Sequence, residues 1–291
     1  MSLSRFDYYA PESIEDACKL LIEQGSGAVV MAGGTDILLK IRRGYLEAKA
    51  VVDLQKIKGM NRISFEEGKG LTIGAMARLA DVELHPIVKE KYPAVADAAR
   101  ATANVQIRNM GTVAGNLCNA APSADNAPVL IAMGAKVIIA GVKGQRQIPL
   151  DEFFKGPGLK AIGEGEILTS IHVPIAPEGS GASYKHISPR GKVDISAVGV
   201  GVMLIMNGDI CEEAKIALGA VAPIPMRAIK AEKIIKGYRI SADLLKKAGL
   251  EASQECKPIT DVRATAEYRK KMVAVLTIRA IDEASSRASR K

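Results

Sequence analysis

Apolar residues recur every three to four positions over residues 12–24, where Ile14, Ala17, Leu20 and Leu21 share one face. That period predicts an amphipathic helix, with Ser13 placed to cap its start and Gly25 to end it. The period then disappears. Residues 28–32 are continuously apolar, the pattern of a short strand buried on both faces. Helical spacing returns with Ile37, Leu38 and Ile41, and a second apolar run at 50–54 predicts another strand. The opening of the chain therefore reads as a small α/β unit with paired glycines at a strand's end.

From Ile63 the texture changes. Short strands at 63–65 and 71–73 flank a Gly-Lys-Gly turn. Helices are expected at 79–84, 94–103 and 127–133, and strands at 136–140 and 166–173. Pro174, Pro177, Gly179, Ser180 and Gly181 crowd together and mark a linker. Beyond it, 182–187 and the long apolar run 197–206 read as strands, and Asn207-Gly208 signals a hairpin into 210–220. Residues 228–236, 242–253 and 262–287 are helical in pattern. Strands first and helices last make this an α+β arrangement.

Composition narrows the class. Hydrophobic residues at 48% and charged ones at 25% suit a soluble globular chain, and no run of about 18 apolar residues offers a membrane span. The start, Met1-Ser2-Leu3-Ser4-Arg5-Phe6-Asp7, lacks the basic and apolar regions of a signal peptide, so a cytoplasmic location is expected. The net charge of +8 raises nucleic acid as a partner. Dispersed charges, 4% aromatics and no tryptophan argue against it, and favour a solvated basic surface or a face for an acidic partner. Cys18, Cys118, Cys211 and Cys256 lack the close pairs that ligate zinc or iron–sulfur clusters, so no metal of its own is expected. Cys18 falls on the apolar face of the first helix and reads as a buried thiol. His85, His172 and His186 form no recognisable triad or metal motif.

Two glycine-rich segments carry the chemistry. In Ala32-Gly33-Gly34-Thr35-Asp36, paired glycines after a strand permit positive φ and close approach to a ligand. Exposed amides there suit a pyrophosphate, and Thr35 and Asp36 can cap the next helix or bond a polar ligand. An ordinary tight turn is the alternative, and neither the G-x-G-x-x-G nor the P-loop pattern is present. The second segment is Gln106-Ile107-Arg108-Asn109-Met110-Gly111-Thr112-Val113-Ala114-Gly115-Asn116, followed by Asp125 in Pro122-Ser123-Ala124-Asp125. Each glycine inside an element costs up to ~1 kcal/mol. Two such segments in one chain favour contact with a flat or extended ligand.

Both segments resemble the two signatures of the FAD-binding medium subunit of molybdenum hydroxylases, the family of carbon monoxide dehydrogenase and xanthine dehydrogenase. The similarity extends to Glu166-Ile167-Leu168, Tyr184-Lys185 and Pro225-Met226-Arg227. It implies an FAD-binding domain of the PCMH type over 1–176, in subdomains 1–58 and 59–176, and a smaller α+β domain over 182–291. By resemblance, Ala32, Gly33, Gly34, Thr35 and Asp36 wrap the FAD pyrophosphate, and Gly111, Thr112, Val113, Ala114, Gly115 and Asn116 complete the cradle. Asp125 matches an acidic position that contacts the FAD deeper in the site. Leu168 and Lys185 match positions lining the isoalloxazine, where a cation raises the potential of the bound flavin. Ala114 stands where the family commonly has glycine, harmless if only a small side chain is needed. Gly34→Val is expected to empty the site.

The resemblance further implies non-covalent FAD, because no histidine or cysteine lies at the first loop. It places the molybdenum cofactor in a large partner subunit and two [2Fe–2S] clusters in a small one, within a dimer of heterotrimers. Electrons would pass from those clusters to FAD and on to NAD, quinone, ferredoxin or oxygen. One rival is a self-sufficient flavin oxidase or reductase, although residues 182–291 look more like a docking module. The other is a non-redox scaffold whose glycine loops are only turns.

Overall fold

The computed structural model describes residues 5–191 and 194–289. Met1 to Ser4 of the stretch read as lacking a leader, Lys192, Val193, and the closing Arg290 and Lys291 lie outside the described residues.

The first unit runs β1 (Asp7–Tyr9), α1 (Ile14–Gln24), β2 (Ala28–Met31), α2 (Ile37–Arg42) and β3 (Ala50–Asp53), with the parallel strands ordered β1-β3-β2. Ser13 Oγ accepts the Asp16 amide at 3.0 Å, and Gly25 ends α1 at φ +60°. Two-faced burial belongs to β3, not to β2. All four residues of β3 are buried, whereas those of β2 are half-buried. In the order β1-β3-β2, β3 has a neighbour on both sides and β2 on one only. Cys18 is buried, and burial pushes its thiol pKa up. Its Sγ points at the Ala140 carbonyl of the next unit, 3.7 Å away.

That second unit opens with the hairpin β4 (Ile63–Glu66) and β5 (Gly70–Gly74). Six short helices follow: α3 (Leu79–Leu84), α4 (Pro86–Lys91), α5 (Pro93–Ala101), α6 (Val105–Arg108), α7 (Val113–Cys118) and α8 (Asn126–Ala132). The strands β6 (Lys136–Gly141), β7 (Gly144–Pro149), β8 (Phe154–Gly156), β9 (Leu159–Lys160) and β10 (Ile167–Pro174) close it. Five of these strands make an antiparallel sheet ordered β4-β5-β10-β6-β7. Pro86 and Pro93 stand at the first turns of α4 and α5, where a missing amide costs nothing. Edge strand β7, polar in sequence and mostly exposed, carries no alternation by which to read it in advance.

The third unit is an antiparallel sheet of β11 (Ser180–Ile187), β12 (Val198–Asn207), β13 (Ile210–Gly219) and β14 (Met226–Arg227), followed by α9 (Ile229–Ile235), α10 (Ala242–Glu255) and α11 (Ala266–Ala288). The hairpin falls where expected. Asn207 pairs with Ile210 across Gly208-Asp209, and glycine takes the first central position at φ +57°, as type II′ turns require. α11 starts at Ala266, not 262, because Thr265 caps it through the Tyr268 amide. One face of the sheet is covered by α11, onto whose Ala280 carbonyl Ser183 Oγ donates at 2.6 Å. The other face meets α8, and Arg287 reaches from α11 to Asp97 of α5 at 2.8 Å. No helix among the described residues is long and apolar enough to cross a membrane.

Candidate functional site

Strand β2 delivers the chain to Ala32, and Gly34 turns it into α2 with φ +72°. Asp36 occupies the cap position of α2 without capping it. Its carboxylate instead accepts Asn119 Nδ2 at 3.2 Å, while Asn119 Oδ1 accepts Lys40 Nζ at 2.6 Å. Asn119 follows α7, so this chain of bonds ties the two helices together. Among the described residues, the amides of Gly33, Gly34, Thr35 and Asp36 donate to no protein acceptor.

The second segment is more helical than its glycines suggest. α6 ends beside Asn109, Gly111 donates back to the Ile107 carbonyl at 2.7 Å, and Thr112 starts α7 by accepting the Gly115 amide at 2.9 Å. A hydroxyl cap offsets the helix-breaking tendency of Gly115. The two segments touch. A Cβ on Gly33 would fall on the Met110 carbonyl and lie 2.8 Å from Gly111 Cα. Thr35 Oγ1 is 3.3 Å from where a Cβ on Gly111 would stand, and Ala32 Cβ is 3.9 Å from the one on Gly115. Two bare backbones thus lie side by side, one with a row of uncommitted N–H groups. Such a nest suits the oxygens of a diphosphate, so the residues present fit the pyrophosphate of FAD.

Asp125 sits at the head of α8, 7% exposed. It accepts Tyr184 Oη at 2.8 Å and Ser196 Oγ at 2.5 Å, both from the third unit. Burial raises the Asp125 pKa above the usual carboxylate range, and the two hydroxyl donors oppose that rise. Burial and then the charge of Asp125 push the Tyr184 phenol well above its ordinary range. His186 stacks on Tyr184 with ring centroids 5.8 Å apart, and its Nδ1 is 3.1 Å from Ser196 Oγ.

Leu168 is buried in the core of the second unit, on the strand β10 that packs against α7. Lys185 goes the other way. Strand alternation turns it to the α11 face with Ser183, away from Tyr184, and its Nζ lies 2.6 Å from Glu283 Oε2. That contact is an ion pair. The structure thus brings the two loops together and sets Asp125 beside them through Asn126. It does not bring Lys185 to Asp125.

Known proteins answer to the same geometry. The family model described as the FAD binding domain in molybdopterin dehydrogenase matches residues 4–176, and the CO dehydrogenase flavoprotein C-terminal domain matches 182–284. The chain belongs to the FAD-binding medium subunits of the molybdopterin dehydrogenase family. It resembles the glyceraldehyde dehydrogenase medium chain of Sulfolobus acidocaldarius at 32% identity, over 96% of this chain and 98% of that one. The carbon monoxide dehydrogenase medium chain of Afipia carboxidovorans is 34% identical over 97% and 98%. The solved carbon monoxide dehydrogenase of Hydrogenophaga pseudoflava superposes with a TM-score of 0.95 at 31% identity, covering 99% of both chains. Members of this family are flavoprotein subunits of multi-subunit molybdenum oxidoreductases, and the α+β architecture is theirs.

In this medium subunit the alanine at 114 is readily accommodated. Ala114 lies within α7 and is 3% exposed, with no positive φ. Ala114→Gly is therefore expected to cost up to about 1 kcal/mol in denaturant unfolding and to leave flavin affinity no better than before. Tighter flavin binding in that variant would show that the alanine obstructs the site.

Several residues near the site escape a sequence reading. Ser196 and Asn126 are short polar side chains whose partners are distant in the chain. Arg269, 3% exposed on α11, donates through Nη1 to the carbonyls of Ala197 at 2.6 Å and Ala220 at 3.0 Å, and through Nη2 to Asp261 at 2.7 Å. It thereby holds the strand ends that carry Ser196 and that abut Pro122, whose carbonyl accepts the Ala220 amide at 2.6 Å. Nothing in the local sequence distinguishes it from the other basic residues of α11.

Proposed function

We propose that this chain is the electron-transfer subunit of a molybdenum hydroxylase complex, taking electrons from [2Fe–2S] clusters of a small partner subunit and passing them to an external acceptor. The observation that carries this reading is the contact between Gly33 and the Met110–Gly111 backbone, which presents the free amides of the first loop beside the capped start of α7. FAD, bound non-covalently, supplies chemistry that accepts electrons singly and releases them as a pair.

On this reading Ala32, Gly33, Gly34, Thr35 and Asp36 hold the pyrophosphate on one side, and Gly111, Thr112, Val113, Ala114, Gly115 and Asn116 hold it on the other. Asp125, braced by Tyr184 and Ser196, keeps the third unit registered on the site. Leu168 supplies an apolar wall. Lys185 stands on edge strand β11, so its stem can swing around the sheet edge once its ammonium leaves Glu283. A large subunit would hold the molybdenum cofactor and oxidise the organic substrate, in a dimer of heterotrimers.

Relatives named for carbon monoxide and for glyceraldehyde match this chain over nearly their full length, which supports placing substrate choice in another subunit. The test is to purify the chain alone and with its molybdenum and iron–sulfur partners. The chain alone should be yellow, release FAD on denaturation and show no substrate turnover. In the complex its flavin should bleach on adding substrate only when the iron–sulfur subunit is present. Turnover of a small substrate by the isolated chain would favour a self-sufficient oxidase instead.

A further inference from the structure

Behind the second loop runs a buried polar chain that starts in α5. Thr102 caps the end of that helix, and its own amide bonds the Ala99 carbonyl at 3.2 Å. The Ala98 carbonyl, left without that amide, is satisfied by Thr102 Oγ1 at 3.0 Å. A hydroxyl has one proton, so toward its other neighbour Thr102 can only accept. That neighbour is Asn126, 1% exposed.

Asn126 Nδ2 donates to Thr102 Oγ1 at 3.1 Å and to Asn116 Oδ1 at 3.0 Å. Both its amide protons are committed, and its Oδ1 has no partner among the described residues. Turning the amide over would set Oδ1 against the lone pairs of Thr102, so Thr102 fixes which way Asn126 points. Asn126 in turn fixes Asn116. With its oxygen engaged, Asn116 has its NH₂ group left over, half-exposed and without a protein acceptor among the described residues.

We propose that Thr102 and Asn126 are positioning residues that set the polarity of the Asn116 carboxamide, so that it offers N–H donors to the oxygens of the FAD diphosphate–ribityl chain. This rests on the reading of the two loops as the FAD cradle. The polarity is imposed from α5, through two side chains whose one hydrogen bond to that cradle, among the described residues, is the one to Asn116. The unpaired Asn126 oxygen accords with an orientation dictated by two acceptors and not by its own carbonyl.

A double-mutant cycle on the full-length chain tests it, with FAD affinity read by fluorescence titration of apoprotein and folding checked by thermal melting. Asn126→Leu and Asn116→Leu should each weaken FAD by about tenfold, the loss of one hydrogen bond to a charged group. The double variant should be no weaker than Asn116→Leu alone, because Asn126 acts through Asn116. Asn126→Asp, measured at a pH where its carboxylate is ionised and can only accept from Asn116, should turn that carboxamide over and bind FAD more weakly than Asn126→Leu. Thr102→Ser should restore what Thr102→Val loses. Additive losses in the cycle, or wild-type affinity in Asn126→Asp, would overturn the relay. Failure of the unmodified chain to bind FAD would instead overturn the cradle.

Discussion

Gly33→Ala is expected to yield a protein that purifies without flavin. The added Cβ would land on the Met110 carbonyl, 2.6 Å from its carbon and 2.8 Å from Gly111 Cα. These are backbone atoms and cannot rotate aside, so the two loops must separate. Overpacking of this kind costs about 1–3 kcal/mol of stability. The effect on the ligand is larger. Displacing the loops misaligns amides that would meet the diphosphate, and losing two charge-assisted hydrogen bonds weakens binding by about 100-fold or more. The measurement is the flavin-to-polypeptide ratio after gel filtration, followed by titration with FAD. Full flavin content in Gly33→Ala would dissolve the case for loop contact. Gly34→Ala makes the useful contrast. Its Cβ would meet only the flexible ends of Leu38 and Met31, at 3.1 and 3.4 Å, so it pays chiefly the ~1–2 kcal/mol cost of a positive φ.

The second large effect is expected on stability, from Gly201→Ala in β12. A Cβ there would lie 2.5 Å from Pro128 C and Val129 N, the backbone of α8. Gly219 leaves a similar opening, with its Cβ position 2.8 Å from Pro128 Cγ. The helix rests on the sheet through these two bare positions. Pushing it off should cost about 1–3 kcal/mol and lower the melting temperature by several degrees. Because Asp125 immediately precedes α8, the same shift should loosen that carboxylate from Tyr184 and Ser196, and flavin content should fall with stability. Gly201 has no positive φ, so its cost is packing alone, whereas Gly144→Ala, on a hairpin with nothing within 4 Å, carries only the backbone cost of a positive φ. Equal melting temperatures for Gly201→Ala and the unmodified chain would show that α8 does not rest on this strand.

Much of the fold was legible because local patterns and tertiary packing agree in it. Helix α1 begins at its serine cap and ends at its glycine, and the β12–β13 hairpin turns at Gly208-Asp209, beside the Asn207-Gly208 signal. Where packing alone decides, legibility fails. Helix α4 is too short to show a period, and edge strand β7 has no apolar face to display. Gly34 has the positive φ, and the close approach between the two loops belongs to Gly33, one position earlier. Positive φ is a local property that a glycine pair suggests. Which glycine a distant backbone presses against is not local.

The sequence by itself determined the α+β order, the two glycine segments and the family, because turn chemistry, apolar period and motif order are written in consecutive residues. Tertiary structure alone decided that the segments meet at Met110 and Gly111. It also decided that Asp125 is braced by hydroxyls from the third unit, and that Lys185 is held by Glu283 on the opposite face. Those facts depend on pairs of residues separated by dozens of positions. A hydrogen bond or a steric limit between such residues exists only once the chain has closed on itself.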